Sequence, residues 1–185
     1  MSYGKVNSIA IVLNGASSSG KTSIALAIQR LSKTPILHAP LDTFTDMFHW
    51  PAIPDPETKR ECHRFGVANF HAALPILASS QFPVVVDHVF CEHAWFDDCV
   101  KALKGRRTYF IGVRCPIATL EEREKARGDR NPGMARSQVD HVHLRKPYDL
   151  EVDTSVKSAK ECAAAILEFV ENAERKRSPR AAASA

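Results

Sequence analysis

The sequence predicts an α/β protein in three layers, with a parallel sheet of five strands between two layers of helices. Three observations predict it. Five short apolar runs recur along the 185 residues, separated by stretches whose apolar positions fall at helical spacing. The first run, Ile9-Ala10-Ile11-Val12-Leu13, is apolar at every position, as in a strand buried on both faces. A glycine-bounded loop then joins that strand directly to a helix. Alternation of strand and helix is the pattern of a parallel sheet with right-handed crossovers.

Taken in order, residues 8–14 read as the first strand and the helix after the loop runs to about Ser32, before Lys33-Thr34-Pro35. Ile36–Ala39 is a short second strand. Asp42 follows its carboxyl end, where parallel sheets place ligands. It reads equally as the N-cap of a helix beginning at Thr43. Residues 49–58 carry three prolines and no period, so they read as a loop. Phe44, Met47, Phe48 and Trp50 lie beside it, as an apolar pocket lining or as packing beneath a helix. Glu61–Ser80 reads as a helix with Phe65, Ala68, Ala72 and Leu77 among its apolar positions, kinked or divided at Pro75. Phe82–Asp87 is the third strand, and Glu92–Lys104 a helix ending at Gly105. Arg107–Arg114 is the fourth strand. Pro116 opens a charge-dense helix, Ile117 to about Arg127, read as a largely exposed face. Residues 128–133 break it, and a helix follows from Met134 to about Leu144. Tyr148–Asp153 is the fifth strand and Ala159–Asn172 the last helix. The division is one domain over residues 1–174 and a basic tail over 175–185, read as disordered.

The loop is Gly15-Ala16-Ser17-Ser18-Ser19-Gly20-Lys21-Thr22. Strand, glycine-bounded loop and helix form the context of a phosphate-binding P-loop. Its backbone N–H groups cradle a phosphate chain, and the helix N-terminus adds partial positive charge. Lys21 is placed to reach the β- and γ-phosphates, and the Thr22 hydroxyl to bind Mg²⁺. Asp87 ends an apolar strand as a Walker B carboxylate does, and that carboxylate holds Mg²⁺ directly or through water. Arg127 and Arg130 flank a glycine-containing break, as in a lid that closes over phosphates. His88, Cys91 and His93 lack the paired spacing of a zinc site.

The totals narrow the partners. Net charge is +4, but residues 174–180 hold four Arg/Lys against one Glu, so the body is near neutral. That argues against nucleic acid, which needs a clustered basic face. The apolar run at 9–13 is too short to span a bilayer, and the N-terminus has no apolar leader segment. Five cysteines without a CxxC pair fit a cytoplasmic protein with reduced thiols.

At this point the sequence resembles the chloramphenicol phosphotransferase family of small P-loop kinases, from about Ile11 to Thr154. The resemblance rests on Leu13-Asn14-Gly15 leading into Ser17-Ser18 and Gly20-Lys21, on Leu41–Phe44, and on Val86–Phe90. It rests further on Gly112–Cys115, Ala126–Arg130 with Gly133-Met134-Ala135, and Tyr148–Thr154. It implies a P-loop NTPase fold with strand order 2-3-1-4-5, and transfer of the ATP γ-phosphoryl group to a hydroxyl of a small molecule. By matching position, Asp42 corresponds to the carboxylate that accepts the hydroxyl proton. Lys21 and Thr22 correspond to the phosphate and Mg²⁺ ligands, and Arg127 and Arg130 to lid arginines. Two departures stand out. The family pattern has a second acidic residue after the third strand, where this chain has His88, and the 49–58 loop is rich in Pro and Trp. Both lie on the acceptor side.

Other readings stand beside this one. A kinase of the same architecture could act on a nucleoside, a shikimate-like metabolite or a sugar. A nucleotide-binding module could switch conformation without phosphorylating anything, although a switch needs no acceptor base at Asp42. RNA binding through the basic tail is a further reading. The residues leave the acceptor, the oligomeric state and any role in antibiotic resistance open.

Overall fold

Strand β1 (Ile9–Asn14) sits at the centre of the sheet because both of its faces are apolar. The computed structural model describes residues 9–127, 133–144 and 146–177. The other strands are β2 (Leu37–Pro40), β3 (Val84–His88), β4 (Arg107–Arg114) and β5 (Leu150–Asp153). All pair parallel, in the order β2-β3-β1-β4-β5. This is the P-loop kinase order that the resemblance implied. The register sets Leu13 beside Asp87 and Asn14 beside both His88 and Gly112. The carboxyl ends of the strands therefore gather on one side.

Alternation along the central strands feeds two cores. Ile11, Leu13, Val85, Ile111 and Val113 face helices α1 (Lys21–Leu31) and α7 (Ala159–Arg177), meeting Ile24, Ile28, Ile166 and Val170. Ala10, Val12, Val84 and Val86 face α3 (Pro56–Ala78) and α4 (His93–Ala102), meeting Val67, Phe70, Leu74, Phe96 and Cys99. Fully burying each such Val, Leu, Ile or Phe side chain stabilises the fold by about 1.5–3 kcal/mol.

The helices depart from their predicted bounds for identifiable reasons. Helix α3 begins at Pro56, because Asp55 caps it by accepting from Thr58 N–H at 2.8 Å and proline suits the first turn. It continues through Pro75, which lies in its last turn. Its buried stripe is Val67, Phe70, His71, Leu74 and Ala78. Of the apolar positions that marked this helix in the sequence, Ala68 and Ala72 are exposed and Phe65 is 60% exposed. Within the 49–58 stretch, Trp50–Ala52 forms one 3-10 turn. Helix α7 extends through 175–177, residues left in the tail on sequence. Glu174 on α7 ion-pairs with Arg107, and it accepts from the Tyr109 hydroxyl at 2.6 Å, fixing that end to β4.

Asn14, 0% exposed, ties the carboxyl end of β1 to three segments. Its Oδ1 accepts from Phe90 N–H at 2.9 Å, and its Nδ2 donates to Val142 C=O at 2.7 Å and to the Tyr148 hydroxyl at 2.6 Å. Asn14→Ala is expected to lower unfolding free energy by on the order of 3 kcal/mol, since each orphaned buried group costs about 1–3 kcal/mol. Urea unfolding reads this directly. A midpoint equal to wild type would show that the amide carries no net stability.

Candidate active site

The loop between β1 and α1 is shaped by backbone it could not otherwise adopt. A Cβ on Gly15 would stand 2.5 Å from Val113 O and 2.7 Å from Ser19 Oγ. Ser18 (φ 62°) and Gly20 (φ 91°) are left-handed, which curls the loop into the start of α1. Ser17, Ser18, Gly20, Lys21 and Thr22 line a cavity of about 800 Å³. Ala16 and Ser19 line a smaller one of about 250 Å³ instead. The Ser18 hydroxyl oxygen is buried in the large cavity's wall with no hydrogen-bond partner among the described residues.

The two predicted Mg²⁺ ligands meet: Thr22 Oγ1 donates to Asp87 Oδ2 at 2.7 Å. His38 Nε2, from β2, stands 3.6 Å from the same oxygen. Burial alone would raise the Asp87 carboxyl, but His38, Lys21 and Thr22 outweigh it and hold it below its ordinary value. Asp87 is therefore an ionised carboxylate at neutral pH. Lys21 is buried, and its Nζ donates to Ala16 C=O at 2.9 Å.

Asp42 lines the same cavity, on α2 (Asp42–Thr45) just past the end of β2. It is the first residue within that helix, and the N-cap is Leu41, so the N-cap reading is not realised. Arg127, the last residue of α5 (Ile117–Arg127), also lines the cavity. Arg130 and the centre of the predicted lid lie outside the described residues. Lys21, Thr22, Asp42, Asp87 and Arg127 thus share one cavity.

Several lining residues carried no sequence signal of their own. Arg123 on α5 donates to Thr154 Oγ1 at 2.9 Å and Thr154 C=O at 2.7 Å. The Thr154 hydroxyl in turn donates to Ser19 C=O at 2.8 Å, so the end of β5 is bound to the loop. Glu124, read on sequence as part of an exposed face, is 4% exposed. It accepts from Gly133 N–H at 2.8 Å and Ala135 N–H at 3.0 Å, capping α6 (Met134–Val142). Gln138 on α6 accepts from Ser17 N–H at 2.7 Å. Of the aromatic residues near the 49–58 stretch, Trp50 lines the cavity, whereas Met47 is 70% exposed and Phe44 packs on Phe70. Trp95, His63 and Lys59 complete that wall.

Among the described residues there is no group of three His, Cys, Asp or Glu that could hold a metal ion. His88 is instead 0% exposed and shares a 3.0 Å Nε2···Nε2 hydrogen bond with His71. Burial first, and His71 second, push His88 well below its ordinary value, so the pair is neutral. Burial also pushes the Cys91 thiol, in the cavity wall, up to about 11, which removes it as a nucleophile at neutral pH. No helix among the described residues is long and apolar enough to cross a membrane.

A family model described as "Chloramphenicol phosphotransferase-like protein" matches residues 8–171. Two Mycobacterium tuberculosis sequences are each 28% identical over 180 residues, covering 83% of this chain and 78% of theirs. They carry the names "Putative O-phosphotransferase MT2714" and "Putative O-phosphotransferase Rv2636". Among solved structures, Mycobacterium tuberculosis APS kinase CysC in complex with AMPPNP and APS matches with TM-score 0.68 at 18% identity. The match covers 89% of this chain and 98% of that one. Shikimate kinase from Acinetobacter baumannii in complex with shikimate matches with TM-score 0.65 at 16% identity, over 89% and 94%. At those identities the likeness is one of fold.

Behind the loop, the Tyr148 hydroxyl that accepts from Asn14 lies 2.8 Å from His143 Nδ1, to which it can donate only if the ring is neutral. Burial, then the Arg114 charge, lowers His143 from 6.5 to about 4. A lowered folded pKa gives stability that is complete above the unfolded value and lost as pH falls through the folded one. Thermal midpoint is therefore expected to drop as pH falls from about 6.5 towards about 4, and His143→Gln should flatten that slope. Parallel curves for the two proteins would remove His143 as a contributor.

Proposed function

The chain belongs to the chloramphenicol phosphotransferase-like family, and from that premise we propose that it is an ATP-dependent O-phosphotransferase acting on a hydroxyl of a small molecule. The observation that carries this reading is the single cavity in which the loop residues Lys21 and Thr22 share walls with Asp42 and Asp87. A donor end and an acceptor base within one enclosure is what phosphoryl transfer requires and a nucleotide switch does not.

The donor set fits the implied ligands. Among the described residues the Ser18 hydroxyl has no hydrogen-bond partner, and the Thr22 hydroxyl stands 2.7 Å from an ionised carboxylate oxygen. Oxygen donors of that kind suit Mg²⁺. Thr22 and Asp87 would hold it, and the ion would neutralise charge on the β- and γ-phosphates. Gly15 to Thr22 cradle the phosphate chain, and Lys21 and Arg127 offset charge on the transferring group. Arg130 is assigned to the same task from its matching position. Asp42 orients the acceptor hydroxyl and takes its proton. The acceptor oxygen forms the new bond to phosphorus, the bond to the bridging oxygen breaks, and ADP leaves with that electron pair. Positioning and charge stabilisation supply the rate.

Asp42→Asn is expected to leave ADP affinity near wild type and to lower turnover by about 10²–10⁴-fold, the usual scale of general-base loss. The acceptor is found first by mass shift, incubating the protein with ATP, Mg²⁺ and a pool of hydroxyl-bearing metabolites and antibiotics. Full turnover by the variant on that acceptor would remove Asp42 as the base. Lys21→Ala should weaken ATP binding and turnover together. Unchanged values for both would remove the phosphate-loop assignment.

A further inference from the structure

We propose that Gln138 donates a hydrogen bond to the γ-phosphoryl group and is thereby a further residue of the transfer site, an inference that rests on the phosphotransferase reading. The orientation of its amide is dictated by its partner. Ser17 N–H can only donate, so the atom 2.7 Å from it is the Gln138 oxygen Oε1. The other arm of the amide, Nε2, then carries two N–H donors. Gln138 lines the large cavity together with Ser17, Lys21 and Thr22. Among the described residues those donors have no hydrogen-bond partner.

The side chain is held on rigid backbone. Helix α6 is fixed at its start by the Glu124 carboxylate, on Gly133 N–H at 2.8 Å and Ala135 N–H at 3.0 Å. It is fixed at its end by Asn14, donating to Val142 C=O at 2.7 Å. Between these ties, Ala135 and Val142 pack in one cluster with Ala16 of the loop. Gln138 therefore keeps its place against Ser17 without adjusting, which is the preorganisation that makes a donor effective.

Its place along the phosphate chain follows from the loop. The α- and β-phosphates take the loop's backbone cradle, and Lys21 reaches the β- and γ-phosphates. Ser17 and Gln138 share the cavity wall with Lys21, which reaches the β- and γ-phosphates, and we place the γ-phosphoryl beside them. A neutral amide there adds two donors and no charge. It holds one phosphoryl oxygen while leaving the cationic side chains to the others.

The test needs no acceptor. Gln138→Met keeps the length of the side chain and removes both donors. Binding of Mg²⁺-ADP and of the Mg²⁺ complex of β,γ-imido-ATP is measured by calorimetry for wild type and variant. The expected result is ADP affinity within about twofold of wild type, with affinity for the imido analogue weakened about tenfold, the scale of one hydrogen bond to a charged group. Unchanged affinity for both nucleotides would overturn the proposal. Tighter binding of both would also overturn it, because Gln138 would then be only a stand-in for a phosphate oxygen at Ser17. If Gln138→Met does not fold by its thermal midpoint, Gln138→Leu gives the same comparison. Wild-type protein that binds neither nucleotide would take down the phosphotransferase reading, and this proposal with it. Wild-type protein that binds both equally would take down the Gln138 assignment alone.

Discussion

The site depends on one buried amide. Asn14 ends the central strand with no exposure, and each of its hydrogen-bonding arms reaches a different segment. A buried amide left unpaired is costly, so its position commits the turn after β3, the end of α6 and the approach to β5 together. Those three segments surround the phosphate-binding loop, which starts at the next residue, Gly15. The loop has no slack of its own there, because a Cβ on Gly15 would stand 2.5 Å from Val113 O. The geometry at Lys21 and Thr22 is thus inherited from packing at the other end of the loop.

Electrostatics then divide the cavity. Asp87 is buried yet charged, because His38, Lys21 and the Thr22 hydroxyl converge on it and outweigh the cost of burial. Glu124 is buried as well, but its carboxylate is spent on two backbone N–H groups of α6. The first arrangement keeps a carboxylate oxygen beside a hydroxyl at the loop. The second turns a charged residue into a structural cap that places Gln138 against Ser17. Two carboxylates of similar burial do different work because of what each one faces.

The fold was legible because its signals are local. Apolar runs placed all five strands, and strand-loop-helix context placed the P-loop. The strand order came only from the resemblance, since parallel pairing is set by contacts far apart in sequence. What escaped was whatever depends on tertiary direction. Glu124 lies in a helix of alternating charge, and nothing in that pattern marks one glutamate for burial. Arg123 read as part of an exposed face and Gln138 carried no signal at all, and their contacts exist only where α5 and α6 meet the loop. Helix α3 was cut short at its start because a Pro-rich stretch signals a loop, although Asp55-Pro56 is also a good helix opening. The apolar positions that marked this helix, Phe65, Ala68 and Ala72, lie off its buried stripe, because helical spacing alone does not say which apolar residues face the sheet.

His88 stands where the resemblance implies a second acidic residue after the third strand. Successive side chains of a strand face opposite sides of the sheet, so Asp87 meets Thr22 of α1 while position 88 faces His71 of α3. His88 does not line the cavity. Its ring stacks on Phe90 at 4.1 Å between centroids, and its Nε2 meets His71. It contributes neither charge nor a ligand to the cavity. On the phosphotransferase reading, acceptor recognition falls to the remaining wall: Asp42 at the end of β2, Lys59 and His63 one turn apart on α3, and the indoles of Trp50 and Trp95. Trp50 is brought there by the Pro-rich stretch that departs from the family pattern. Of the two departures, His88 adds nothing to the cavity wall and the Pro-rich stretch adds an aromatic surface.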